Sequence, residues 1–181
     1  MNQQHPFELA VPIQNTDHVI GASHAPVTIV EYGDFECPNC RQAASAVKLL
    51  LERFAGHTRC VFRHFPLEEV HSHALGAALA AECAGGQGKF WEMHDLLYAN
   101  QDHLKLPQLR SYAERLQLDL ARYTAEMDDQ AYLQRIREHL EGARRSGVRA
   151  TPTFFVNGRL QDVSFGMRAL FDAVEAALHH G

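Results

Sequence analysis

Three rhythms of apolar and polar positions run along the chain. Val27 to Tyr32, in PVTIVEYGDF, is an unbroken β-branched and apolar run closed by Gly33, the pattern of a buried strand. The period then lengthens. Ala43, Val47, Leu50, Leu51 and Phe54 fall on one helical face, and Gly56 supplies the stop. TRCVFRHFP predicts a second strand, broken at Pro66. From His71 to about Arg145 only helical periods are found. SHALGAALAAECAGG is Ala-rich and stops at Gly85 and Gly86, and KFWEMHDLLYAN carries Phe90, Met93 and Leu97 on one side. Leu109, Tyr112, Ala113 and Leu116 mark another helix, Leu120, Tyr123 and Met127 the next, and Ile136, Leu140 and Ala143 one more. Strand character returns at Thr153 to Val156. Asn157-Gly158 is a strong hairpin turn, and a helix bearing Met167, Leu170, Phe171, Val174 and Leu178 closes the chain. With Pro6, Pro12 and Pro26 as breakers, residues 1–26 are expected to form a loose lead-in. The order predicts an α/β core, residues 27–65 and 149–181, split by an all-helical insertion over residues 66–148.

Length and composition narrow the function. The 181 residues suit one domain carrying an insertion, and 46% hydrophobic with 22% charged residues is ordinary for a globular protein. A net charge of −5 argues against a general nucleic-acid binder. No stretch is long and apolar enough to span a membrane, and the first residues lack a basic start followed by an apolar run. Read literally, this predicts a cytoplasmic protein, or a periplasmic one if a leader has been lost. Four cysteines in a chain of this length do not make a disulfide scaffold.

The chemistry concentrates in GDFECPNCRQAA. Cys37 follows a strand and a turn, and Pro38 suits the first position of the helix that starts there. Cys37 is therefore expected at the helix N-cap, with its sulfur near free backbone N–H groups and the positive end of the helix dipole. Both lower a thiol pKa. The thiolate is the attacking species in disulfide exchange, so Cys37 is the expected nucleophile and Cys40, one turn on, the resolving thiol. Glu31 lies in the otherwise apolar strand. Burial would raise its pKa towards the range useful for taking the proton of Cys40. Zinc is the rival for two cysteines at this spacing. A structural site needs four ligands, however, and the other cysteines stand singly while His71 and His73 are two apart; no metal is expected. Cys60 in a strand and Cys83 in an Ala-rich helix read as small apolar residues with free thiols. Pro152 opens a strand, as an ordinary strand-start proline or a cis-proline.

Four blocks in order, VTIVEYGDFECPNC, VFRHFPL, QGKFWEMHDLLYANQ and SGVRATPTFFVNG, resemble the DsbA-like branch of the thioredoxin-fold thiol–disulfide oxidoreductases. The resemblance runs from about Asp17 to the end. It implies a thioredoxin fold with an inserted all-helical domain that caps the active site. It implies Cys37 as exposed nucleophile, Cys40 as its buried partner, Pro38 and Asn39 as the dipeptide that tunes the potential, and Glu31 as the buried acid. It further implies Pro152 as a cis-proline facing the disulfide, and Thr151 as the residue whose backbone pairs with an extended substrate segment. Strongly oxidising members carry Pro-His between the cysteines. Asn39 cannot carry a positive charge, so a potential between the extreme oxidants and thioredoxin is expected. The implied substrates are protein thiols and disulfides. No cofactor beyond the Cys37–Cys40 disulfide is expected, and no nucleic-acid or membrane partner. The redox partner, whether glutathione, a thioredoxin system or a membrane oxidase, is left open. The rivals are a peptide-binding chaperone module using the groove beside Pro152 and, less favoured, a glutathione-linked isomerase or transferase, against which the paired Cys40 argues.

Overall fold

The structure is a computed structural model and describes residues 8–179. Its centre is β2 (Val27–Gly33), all seven residues of which are buried. An apolar run without alternation needs cover on both faces, and a central strand has it. β2 pairs in parallel with β3 (Thr58–His64) and antiparallel with β4 (Thr153–Val156). β1 (His18–Gly21) flanks β3 and β5 (Arg159–Gln161) flanks β4, which gives the sheet order β1-β3-β2-β4-β5.

Between β2 and β3 lies α1 (Pro38–Arg53), and α7 (Arg168–His179) follows β5. Both cover one sheet face, where Val27 and Ile29 meet Ala43, Val47, Leu50, Leu170 and Val174. Strand periodicity of two places Glu31 on this same face, towards α1. The opposite face carries Val30, Tyr32, Val61 and Phe155 beneath Ala143. Between β3 and β4 the chain forms α2 (Ala74–Gly85), α3 (Phe90–Ala99), α4 (Leu106–Arg115), α5 (Leu120–Asp128) and α6 (Leu133–Arg145). The core of these helices is continuous with the turn after β2: Phe35, Cys37, Cys40 and Phe62 belong to one cluster with Met93, Leu97 and Leu109.

Two glycines meet conformational demands that other residues cannot. A Cβ on Gly33 would sit 2.6 Å from Phe62 Cε2, so the strand approaches the aromatic cluster only without a side chain. In the β4–β5 hairpin, Gly158 has φ 82° and Asn157 φ 46°, the left-handed pair of a tight turn. Asn157 Oδ1 also accepts the Thr28 N–H at 2.8 Å, tying the turn to β2.

The N-terminal expectation is corrected. Within residues 1–26, expected as a loose lead-in, the four residues of β1 form the edge of the sheet; residues 1–7 lie outside the described part. β1 was illegible because four residues carry no measurable period, and Val19 and Ile20 remain 38% exposed. Its position depends on β3 and on the Trp91 indole, which donates to the Val19 carbonyl at 3.2 Å.

A buried ionic cluster joins β1, β3, α2 and α6. His18 and His64 donate Nε2–H to Glu82 Oε1 at 2.9 and 2.8 Å, and Arg135 donates to Oε2 at 3.0 Å. Burial alone would raise the Glu82 pKa, but the bonds and charges of His18 and His64 hold its carboxyl well below the usual carboxylate range. Beside it, Arg63 grips Asp17 through two bonds of 3.0 and 2.7 Å.

Candidate active site

β2 ends at Gly33, and four residues later Cys37 caps α1 with extended backbone (φ −78°, ψ 120°) and Pro38 in the first turn. This is the helix start that the Pro38 signal predicts. The cap is firmly tied down. The Cys37 N–H donates to the Asp34 carbonyl at 3.2 Å, and the Cys40 and Arg41 N–H groups donate to the Cys37 carbonyl at 3.1 and 3.2 Å. Gln101, just beyond α3, donates from Nε2 to both the Phe35 and Cys37 carbonyls at 2.8 Å. The Tyr98 hydroxyl donates to the Asp34 carbonyl at 3.4 Å, and Phe35 stacks on Phe62 with centroids 5.2 Å apart.

Both cysteines are free thiols here; Cys40 is buried completely, as expected, but Cys37, expected to be exposed, is only 6% exposed because it packs into the helical core. The Cys37 pKa is held down at about 5, first by a hydrogen bond from the Cys40 thiol. Burial opposes the shift, while the Thr151 side chain and the N–H groups of Cys40 and Asn39 support it. The N–H groups of the helix start therefore contribute to the low pKa, behind the Cys40 thiol. Cys40 moves in the opposite direction, pushed up by burial, by its hydrogen bond to Cys37 and by the charge of Glu31. Such a split suits an attacking thiolate beside a protonated partner.

Thr151 and Pro152, in the segment between α6 and β4, come to this pair from the other end of the helical insertion in the chain. The Cys37 thiol donates to the Thr151 carbonyl at 3.5 Å, and the Thr151–Pro152 peptide bond is cis. The Thr151 hydroxyl is buried without a hydrogen-bond partner. When Cys37 ionises it stops donating to the carbonyl, and this hydroxyl remains as a donor for the thiolate. Pro38 and Asn39 lie exposed at the rim.

Glu31 sits beneath. It is 2% exposed and its Oε1 has no hydrogen-bond partner. Burial, then the charge on Cys37, pushes its pKa up to about 8. All the residues predicted for the site thus converge: Glu31, Cys37 to Cys40, Thr151 and Pro152. Cys60 and Cys83 lie elsewhere as buried free thiols, Cys60 in the core between the sheet and α1 and Cys83 in the helical core.

Sequence reasoning missed the outer ring of partners. Asp34 is buried; its Oδ1 accepts the Glu36 N–H at 2.8 Å and its Oδ2 the Leu67 N–H at 2.9 Å and His71 Nδ1–H at 2.8 Å. Glu36 Oε2 accepts the His73 N–H at 2.7 Å. An acid placed directly after a buried strand was the available signal for Asp34. Gln101 carried none.

Comparison with known proteins agrees with this geometry. The family model described as thioredoxin matches residues 14–176. The chain is 53% identical over 172 residues to a protein named Na(+)/H(+) antiporter NhaA 1 in Salinispora arenicola, and 50% identical to NhaA 3 of Salinispora tropica. Each match covers 94% of this chain but 26% of the relative, so the chain spans about a quarter of those proteins. Among solved structures, oxidised BdbD from Bacillus subtilis superposes with a TM-score of 0.84 over 96% of this chain and 98% of its own, at 22% identity. A thioredoxin-like oxidoreductase from Silicibacter pomeroyi gives 0.81 over 92% and 94%, at 27% identity. The alpha-DsbA1 protein of Wolbachia pipientis gives 0.75 over 95% and 97%, at 21% identity. With its five-stranded sheet, its helices between β3 and β4 and its family match over most of its length, the chain belongs to the thioredoxin family.

Proposed function

We propose that the chain is a dithiol–disulfide oxidoreductase that exchanges disulfides with protein substrates through Cys37 and Cys40. The observation that carries this reading is the opposed pair of thiols, with Cys37 held at about 5 and Cys40 pushed up beside an unpartnered buried acid. In the reductive direction, the Cys37 thiolate attacks one sulfur of a substrate disulfide. An S–S bond forms to Cys37, and the other substrate sulfur leaves as a thiolate. Once Cys37 is in the mixed disulfide its charge no longer opposes ionisation of Glu31, and the ionised fraction of Glu31 takes the proton of Cys40, whose sulfur then attacks Cys37. The second substrate thiolate leaves, the substrate has gained two electrons and the Cys37–Cys40 disulfide has formed. The reverse sequence oxidises a substrate dithiol. An extended substrate segment would lie along the Thr151 backbone beside Pro152, with the helices between β3 and β4 capping the site.

The poise follows from Cys37. Thiol pKa values of about 3.5 and about 7 accompany the strong oxidant DsbA and thioredoxin respectively, and about 5 falls between them. The expected potential therefore lies between roughly −120 and −270 mV. The antiport named for the Salinispora relatives is not assigned to this segment: among the described residues no helix is long and apolar enough to cross a membrane, and the thioredoxin match accounts for most of the chain.

A redox titration of the purified protein in glutathione buffers, with Cys37→Ser as control, tests the proposal. A two-electron transition in that interval, absent from the variant, is the expected result. If no disulfide forms between Cys37 and Cys40 at any poise, the oxidoreductase reading fails and the Pro152 groove is left as a peptide-binding module.

A further inference from the structure

The loop from Pro66 to His73, between β3 and α2, is strapped to the redox turn by both acids of the GDFE segment. Asp34 Oδ2 holds the Leu67 N–H and the His71 ring, and Glu36 Oε2 holds the His73 N–H. Asp34 is at the same time the residue whose carbonyl receives the Cys37 N–H. His71 is thus fixed one residue-to-residue contact away from the cap that carries the nucleophile. Its side chain is 20% exposed, against 0% for Asp34. A carboxylate at Nδ1 keeps a proton there and favours a second proton on the ring. Among the described residues, Nε2 has no hydrogen-bond partner.

The neighbourhood of Cys37 needs such a group. Of the ionisable side chains that respond to the Cys37 charge, Glu31 on β2, Cys40 on α1 and Tyr98 on α3 are acids and His71 is a base, with the Asp34 and Glu36 carboxylates beside it. Asn39, between the cysteines, can carry no charge.

We propose that His71, held by Asp34, supplies from the β3–α2 loop a positive charge that accompanies the Cys37 thiolate, and so adds to the Cys40, Thr151 and backbone donors in tuning the redox poise of the pair. This rests on the oxidoreductase reading and deepens it: His71 tunes the thiolate through space and touches no reacting atom. Burial alone would lower the His71 pKa, but the bond and charge of Asp34, then the charges of Cys37 and Glu36, raise it above its ordinary value of 6.5. Cys37 is held near 5, and the upward shift of His71 favours the charged ring where the thiolate forms.

Two measurements test the proposal. In the first, the thiolate absorbance at 240 nm of the reduced protein is titrated for the wild type, His71→Gln and His71→Lys, with the potential measured for each. His71→Gln removes the charge but keeps an N–H donor for Asp34. It should bind the Cys37 proton roughly three- to tenfold more tightly and shift the potential towards thioredoxin. His71→Lys restores a charge and should recover part of the shift, which a merely structural histidine would not. The second needs no substitution: the His71 ring is titrated by NMR in the dithiol and disulfide forms. Coupling is reciprocal, so the His71 pKa must fall when the Cys37 thiolate is lost to the disulfide. An unchanged His71 pKa between the two forms, or a Cys37 transition unmoved in His71→Gln, overturns the inference while disulfide formation by the wild type leaves the oxidoreductase reading standing. Failure of the wild type to form the disulfide overturns both.

Discussion

Replacing Glu31 by Gln should stabilise the reduced protein, and the gain should grow with pH in a set manner. Glu31 is fully buried, lacks a partner at Oε1 and has its pKa pushed from an ordinary 4.5 to about 8. At pH 7 the folded chain keeps this proton and the unfolded chain releases it. The two and a half pH units between 4.5 and 7, at about 1.4 kcal/mol per unit, make a penalty of about 3 kcal/mol. The sign follows from linkage: where the unfolded state binds fewer protons, stability falls as pH rises. The penalty is therefore absent below the unfolded pKa of 4.5, grows between 4.5 and about 8, and levels off near 5 kcal/mol above that. Glutamine has no proton to lose and escapes this slope. Urea unfolding of reduced wild type and Glu31→Gln at half-unit intervals from pH 4 to pH 9 reads it directly. At pH 7 the variant should melt about 6–12 °C above the wild type, apart from any pH-independent offset between an amide and a neutral acid. Disulfide exchange by the variant should at the same time slow, because nothing takes the Cys40 proton. Parallel stability curves for the two proteins would refute the reasoning: the Glu31 pKa would then not be raised on folding, and the carboxylate would be too weak a base to draw the proton from Cys40.

Other outcomes follow from the same geometry. The absorbance of the Cys37 thiolate should appear with a midpoint near pH 5 in the wild type and vanish in Cys37→Ser. Because this thiol pKa is depressed on folding, its contribution to the stability of the reduced form is complete above the unfolded value of about 9 and is lost as pH falls towards 5, which unfolding of the reduced protein at pH 9 and pH 5 would show. Glu82→Gln leaves Arg135 and two histidines without their carboxylate and should cost about 3–5 kcal/mol at neutral pH. The depressed Glu82 pKa means that this advantage of the wild type fades as pH falls below about 4.5, read as converging urea midpoints. Gly33→Ala forces a Cβ against the Phe62 ring and should cost about 1–3 kcal/mol, measured as a lower urea midpoint.

Sequence alone determined what depends on near neighbours. Pro38 after Cys37 starts a helix at the nucleophile, the unbroken apolar run from Val27 to Tyr32 demands a strand covered on both faces, and Glu31 stands out as an acid in that run. Asn157-Gly158 turns a hairpin from its own backbone preferences. These follow from propensity and periodicity, which act over a few residues. Tertiary structure decided what required distant segments to meet. The Thr151 carbonyl reaches the Cys37 thiol across 114 positions, and His71 reaches Asp34 across 37. β1 exists because β3 offers it an edge, and Glu82 is tolerated in an Ala-rich buried helix because His18, His64 and Arg135 arrive from three other elements. Even the low pKa of Cys37, predicted from the helix start, owes more to the Cys40 thiol than to the N–H groups of that helix start. A chain pattern places a thiol at a helix start, but only the folded surroundings decide which donors face its sulfur and how far burial opposes them.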